Sequence, residues 1–231
     1  MNLQSVWKSA VLRALFYPAP SIYISKEEEA DFETLYDEVC SSGQNSVDYR
    51  LKAPKYKFLE YLLRSKPVVL HGSNRPGIEQ FEPRQQTLFD GKMTTSVFAS
   101  KDAIWPIFYA VLRREQVVGN FRNGCLRAGD SNKYHYYSLS TPTFNNNPWT
   151  NGVIYVLPSE GFIQSDAGMI QFDEWTCDEP VAPLFKLAVS PADFYFLNKV
   201  AKHRAEESLA KTWMLYKVRS VLRPSSFASL D

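Results

Sequence analysis

Between residues 67 and 190 the chain carries six short runs rich in β-branched and aromatic residues: "PVVLH", "TSVFAS", "YHYYSLS", "GVIYVLP", "DEWTC" and "LFKLAVS". These read as strands. A single short helix is expected among them, in "WPIFYAVLRR". Proline is tolerated in the first turn of a helix but not deeper, so Pro106 sets the start of this helix near Trp105.

The flanks read differently. In "SKEEEADFETLYDEV", Ser25 and Glu28 form a capping box, and acids crowd the first turn, where the helix dipole favours them. Phe32, Leu35, Tyr36 and Val39 make its apolar stripe. A second helix is expected in "PKYKFLEYLLRS", with Pro54 near its first position. After residue 190, "SPAD" offers another capping box, and "KHRAEESLAKTWMLYKVRSVL" reads as a longer packing helix with Leu209, Trp213 and Tyr216 at helical spacing. Glu207 stands four residues before Lys211, the spacing of a helical ion pair. The expectation is an α+β chain in three parts: a helical segment over 1–66, a strand-rich domain over 67–190, and a C-terminal helix over 191–231 that packs on the domain.

Composition narrows the function. With 231 residues, 45% hydrophobic and 22% charged, the chain is long enough for a packed core. A net charge of +1 argues against a dedicated reader of duplex nucleic acid. Three cysteines without a C-x-x-C pair, and three scattered histidines, lead us to expect neither a disulfide framework nor a metal site. Reduced cysteines and the lack of a secretory signal suit a cytoplasmic protein. No run approaches the ~20 apolar residues of a membrane span. The P-loop, G-x-S-x-G, H-E-x-x-H and G-x-G-x-x-G signatures are all missing.

Four local features carry possible chemistry. His71-Gly72-Ser73 ends a strand, where a glycine lets a flat carboxamide reach the backbone N–H and C=O. The plain alternative is a turn with a solvent-facing histidine. Phe108 and Tyr109 can stack on an aromatic ring or simply fill the core. Glu174, beside Trp175, can polarise a ribose hydroxyl and stabilise an oxocarbenium ion, or belong to a solvated strand edge. Arg84, with Arg75 near it, can pair with a pyrophosphate or lie free on the surface.

Their order resembles the ADP-ribosyltransferase superfamily, on its diphtheria-toxin-like and poly(ADP-ribose) polymerase side. The resemblance covers Val68 to Val189. It runs through a His-Gly-Ser strand end, Ile78 through Arg84, a second strand at Ser96–Ser100, and Glu174-Trp175 followed by Val181-Ala182-Pro183 and an apolar strand. It implies split mixed β-sheets flanked by helices, and NAD as substrate. It also implies that His71 binds a ribose hydroxyl, Gly72 holds the nicotinamide carboxamide, Ser73 lines that pocket, Arg84 serves the pyrophosphate or adenosine side, and Glu174 is catalytic. The family's tyrosine in the second strand falls on Val97, so stacking has to come from Phe108 or Tyr109, or from Tyr136 or Tyr137. The function implied is cleavage of the nicotinamide–ribose bond with transfer of ADP-ribose to an unknown protein or nucleic-acid acceptor, or to water. The segment 162–172 is expected to choose that acceptor. Two alternatives stand beside it. One is an RNA 2′-phosphotransferase-like enzyme using Arg75, Arg84, Lys101, Arg113, Arg122 and Arg127. The other is a non-catalytic module that binds ADP-ribose or, through residues 113–133, nucleic acid.

Overall fold

The computed structural model of the chain describes residues 3–89, 91–127, 132–164 and 171–222. Helix α1 (Leu3–Leu15) leads into the short strand β1 (Tyr17–Pro18), then α2 (Lys26–Ser41) and α3 (Lys55–Ser65). Next come β2 (Val68–Ser73), β3 (Arg84–Thr87), β4 (Met93–Ala99) and helix α4 (Trp105–Val111). They are followed by β5 (Phe121–Arg127), β6 (Lys133–Ser140), α5 (Thr141–Asn145) and β7 (Gly152–Pro158). Strands β8 (Ile163–Gln164), β9 (Gln171–Phe172), β10 (Trp175–Cys177), β11 (Phe185–Val189) and β12 (Ala201–His203) precede the last helix, α6 (Leu209–Val221). The class is α+β.

Local chemistry sets several of these bounds. The Ser25 hydroxyl accepts from the Glu28 amide at 3.1 Å, and the Glu28 carboxylate accepts from the Ser25 amide at 2.9 Å, so α2 starts where its capping box lies. Helix α4 starts at Trp105 with Pro106 in its first turn. The Asp102 carboxylate satisfies the amides of Ile104 and Trp105 at 2.9 and 2.7 Å. The helix ends at Val111, earlier than expected, because Leu112 turns extended and bridges to Trp149.

Among the described residues the strands form three sheets: β1-β6-β5-β9 with β12 also on β6, β3-β4-β10-β8, and β11-β7-β2. All six expected strands are present. Strand β5, "FRNGCLR", is not among the expected strands; it falls in the 113–133 stretch considered for nucleic acid. Its glycine has a packing reason: a Cβ on Gly124 would lie 2.7 and 2.8 Å from the rings of Phe172 and Tyr136.

The C-terminal segment departs most from expectation. The "SPAD" capping box forms, but it closes only a 3-10 turn at Pro191–Asp193. The helix expected over 202–222 is divided, since Ala201–His203 pairs in parallel with β6 and α6 begins only after its Ser208 cap. Glu207 therefore precedes the helix instead of pairing along it. It holds Arg219 at 2.6 and 2.8 Å. The buried face of α6 is Thr212, Tyr216 and Ser220, whereas Leu209 is exposed.

One core runs through all three parts: Leu12 and Phe58 from the N-terminal segment, Ile107, Phe108 and Tyr137 from the middle, and Tyr216 from α6. β1 and β12 both pair with β6, which ties the two flanks into one sheet. Among the described residues no helix is long and apolar enough to cross a membrane.

Helix α4 lies against the backbones of β2 and β7. A Cβ on Gly72 would meet the Pro106 carbonyl oxygen at 1.8 Å, and one on Gly152 would meet the Ala110 carbonyl oxygen at 1.9 Å. Both contacts are with backbone, which cannot swing aside. Gly72→Ala and Gly152→Ala should therefore each destabilise the fold by about 1–3 kcal/mol through overpacking. Gly77→Ala, with nothing within 4 Å of its Cβ, should stay within about 0.5 kcal/mol of the parent. Urea denaturation of the three variants measures the contrast.

Candidate functional site

The site begins where two strands part. Leu70 on β2 and Ser100, just past β4, exchange both backbone hydrogen bonds at 2.9 Å. In an antiparallel ladder the next such pair would be Gly72 with Phe98. Among the described residues, however, the isolated bridge Leu70–Ser100 is where pairing of β2 with β4 stops. The Phe98 carbonyl instead accepts from the ring of His71, with Nδ1 at 2.6 Å. The imidazole acts as a wedge between the strands. Alternate residues of a strand turn their N–H and C=O to the same side, so those of Gly72 face the gap.

This contact also fixes the histidine. A carbonyl can only accept, so Nδ1 carries the proton, and in the neutral ring Nε2 is left as an acceptor. Burial lowers the His71 pKa to about 4; the bond to Phe98 opposes this, and Arg114 and Arg84 reinforce it. His71 is therefore a neutral acceptor at physiological pH, suited to a hydroxyl.

A cleft of about 220 Å³ opens at the gap, lined by His71, Gly72, Phe98, Trp105, Tyr109, Arg114, Phe121 and Glu174, with Gln86 and Thr87 from β3. The Arg114 guanidinium stands 5.5 Å from the Tyr109 ring and 5.9 Å from that of Phe121, a cation–π arrangement that holds a positive charge at the rim. The Trp105 indole N–H donates to Asn123 at 2.5 Å, fixing one wall. Burial raises the Tyr109 phenol above its ordinary value, with Asn123 and Arg114 opposing and Glu174 adding to the rise.

Glu174 is placed by its neighbour. Asp173 is fully buried and accepts from the Ser100 hydroxyl at 2.7 Å, and its amide donates to the Cys125 carbonyl at 2.9 Å. The same Ser100 that ends the β2–β4 ladder thus anchors the segment entering β10. Glu174 Oε2 accepts from the Phe89 amide at 3.2 Å, and Phe89 stacks on Phe172 with centroids 4.0 Å apart.

Of the residues singled out in the sequence, His71, Gly72, Tyr109 and Glu174 come together. Phe108 does not join them: it is fully buried and packs on Tyr137 and Phe194, because the next residue on the helix takes the cleft-facing side. Ser73 is not in the lining either. Its hydroxyl accepts from the Arg75 amide at 3.1 Å and closes the following turn. Arg84 is exposed on β3, two residues from Gln86 and on the same face, so it flanks the cleft. Val97 is buried in a separate cluster with Val69 and Tyr155, and Phe98 supplies the aromatic ring of that strand. Tyr136 and Tyr137 belong to the main core. The sequence reading missed Arg114, read as the tail of a helix, and Phe121, read as loop. The expected acceptor-choosing segment includes 165–170, which lie outside the described residues.

Comparisons with family models, curated proteins and solved structures return no match.

Two measurements check this geometry. By NMR hydrogen exchange the Leu70 amide should be protected and the Gly72 amide should exchange much faster; equal protection would mean the ladder is closed. The His71 ring should stay neutral with Nδ1 protonated between pH 5 and 8. Its folded pKa of about 4 lies below its unfolded value. The unfolded chain therefore binds the proton first as pH falls. The stability contributed by the neutral ring is complete above about pH 6.5 and lost as pH falls towards 4.

Proposed function

We propose that the chain cleaves the nicotinamide–ribose bond of NAD⁺ and transfers ADP-ribose to an acceptor. The observation that carries this reading is the convergence of Gly72, neutral His71, Tyr109 and Glu174 on one cleft, although His71 and Glu174 stand about a hundred residues apart. The N–H and C=O of Gly72, which face the gap, match the C=O and NH₂ of a carboxamide. His71 Nε2 accepts from a ribose hydroxyl. Tyr109 and Phe98 offer aromatic faces to the pyridinium ring. At about 220 Å³ the cleft is smaller than the ~300–1,000 Å³ of sites that engulf a whole drug-sized ligand, so it takes one end of the dinucleotide. Arg114 in the lining, and Arg84 outside it, offer positive charge to the pyrophosphate.

In the reaction, nicotinamide departs with the electron pair of the C1′–N bond, and positive charge builds on the ribose ring. Glu174 stabilises that charge and holds a ribose hydroxyl. The acceptor's nucleophilic atom then bonds to C1′ and gives up its proton. Protein side chains, nucleic acid and water remain the acceptor classes to be tried one at a time.

Mass spectrometry of free nicotinamide after incubation with NAD⁺ tests the proposal. Glu174→Gln should lower release by about 10²–10³-fold or more, with an unchanged melting temperature. Release by the parent that survives in Glu174→Gln would overturn the assignment. Binding of ADP-ribose without nicotinamide release would favour a non-catalytic module.

A further inference from the structure

Away from this cleft, three side chains with metal-ligating atoms meet in the core. Cys125 on β5 and His135 on β6 are direct partners across the antiparallel pair, so a rigid ribbon projects both from the same face. Asp102, in the turn before α4, faces them. Cys125 Sγ lies 3.9 Å from His135 Nε2, and His135 Nε2 lies 3.6 Å from Asp102 Oδ2. The three ligand atoms all fall within 4.8 Å of one another, and all three residues are buried. A tetrahedral zinc ion, with bonds of about 2.0–2.1 Å to N and O and about 2.3 Å to S, spans edges of about 3.4 Å (N–O) and about 3.6 Å (N–S). The Cys125–His135 and His135–Asp102 edges need only a slight contraction to meet that geometry, and the Cys125–Asp102 edge, within 4.8 Å, closes by at most about 1.2 Å. The remaining ring nitrogen, His135 Nδ1, lies 3.0 Å from the Tyr137 hydroxyl, the outer hydrogen bond that commonly orients a ligating imidazole.

We propose that Asp102, Cys125 and His135 form a binding site for a zinc-class divalent transition-metal ion. A thiolate, an imidazole and one carboxylate select such an ion over magnesium or calcium, which want oxygen ligands. Lys133 is the rival cation. Its ammonium lies 3.2 Å from Asp102 Oδ2 but also 3.6 Å from Asp173 Oδ2, so a second carboxylate can receive it when a metal takes Asp102. Asp102 and Lys133 also line a cleft of about 490 Å³, distinct from the one that holds His71. Asp102 thus joins the ligand set to solvent, and the ion, with a water as fourth ligand, would enter past Lys133 on that side. On binding, Cys125 gives up its thiol proton to solvent and coordinates as thiolate.

The test uses the full chain stripped of metal with a chelator and titrated with Co²⁺, a spectroscopic substitute for zinc. Zn²⁺ stoichiometry is measured in parallel by equilibrium dialysis and elemental analysis. One ion per chain and a thiolate-to-cobalt charge-transfer band are expected. Cys125→Ser should remove the band, and His135→Gln should weaken binding at least about tenfold. Cys40→Ser should change neither. Lys133→Met should tighten binding by removing the competing charge, a gain that no loss of folding can imitate. Circular dichroism shows which variants are folded. Absence of stoichiometric binding in both the parent and Lys133→Met, or a band that survives in folded Cys125→Ser, would overturn the proposal.

Discussion

The hydrogen bond from the His71 ring to the Phe98 carbonyl is the contact on which the cleft depends. Without it, the ladder that begins at Leu70 and Ser100 has every geometric reason to continue to Gly72 and Phe98, and the gap would close. With it, one side chain separates two strands, selects its own tautomer and leaves a glycine backbone facing outward. The glycine itself is demanded by packing, since α4 lies where any Cβ would stand. One residue thus satisfies the helix on one face and presents its peptide groups at the strand edge, with no conflict between the two duties.

Behind the cleft the fold buries charge as well as apolar surface. Asp102, Asp173 and Lys133 sit among β5, β6 and the turn before α4, with Arg127 at 3.6 Å from Asp173. Burial opposes charge on Asp102 and on Lys133, but their pairing prevails. Burial lowers the proton affinity of Lys133, and Asp102 and Asp173 more than offset it. Burial raises that of Asp102, and Lys133, His135 and the amides of Trp105 and Ile104 hold it below the usual carboxylate range. A buried pair adds little net stability over an apolar isostere, yet loss of one partner is expensive, about 3–5 kcal/mol. The network therefore specifies position. It fixes the turn that starts α4 and the residue that precedes Glu174, which places Tyr109 and Glu174 opposite His71.

What could be read in the sequence was mostly what is local. The Ser25–Glu28 capping box and the β-branched strands lie within a few residues of one another, and they formed. The "SPAD" box also formed, yet a cap does not compel a helix when the following residues, Phe194 and Phe196, are drawn into the core. Strand β5 was hidden because its burial comes from Phe172 and Tyr136, distant in sequence. Missing β5 concealed both Phe121 in the cleft and the register that sets Cys125 against His135. His71 and Glu174 were legible as candidates through their order along the chain. The wedge was not, because it requires the register of β2 against β4. Phe108 and Tyr109 were indistinguishable in sequence; a rotation of one residue along α4 sends the first into the core and the second to the cleft.

In the proposed reaction the His71 wedge leaves the Gly72 peptide groups to the nicotinamide carboxamide. A crystal structure of the chain with a non-cleavable NAD⁺ analogue tests it most directly. The expected result is the carboxamide oxygen on the Gly72 N–H, its NH₂ on the Gly72 carbonyl, and a ribose hydroxyl donating to His71 Nε2. An analogue bound elsewhere, or a Gly72–Phe98 ladder closed across the gap, would contradict it.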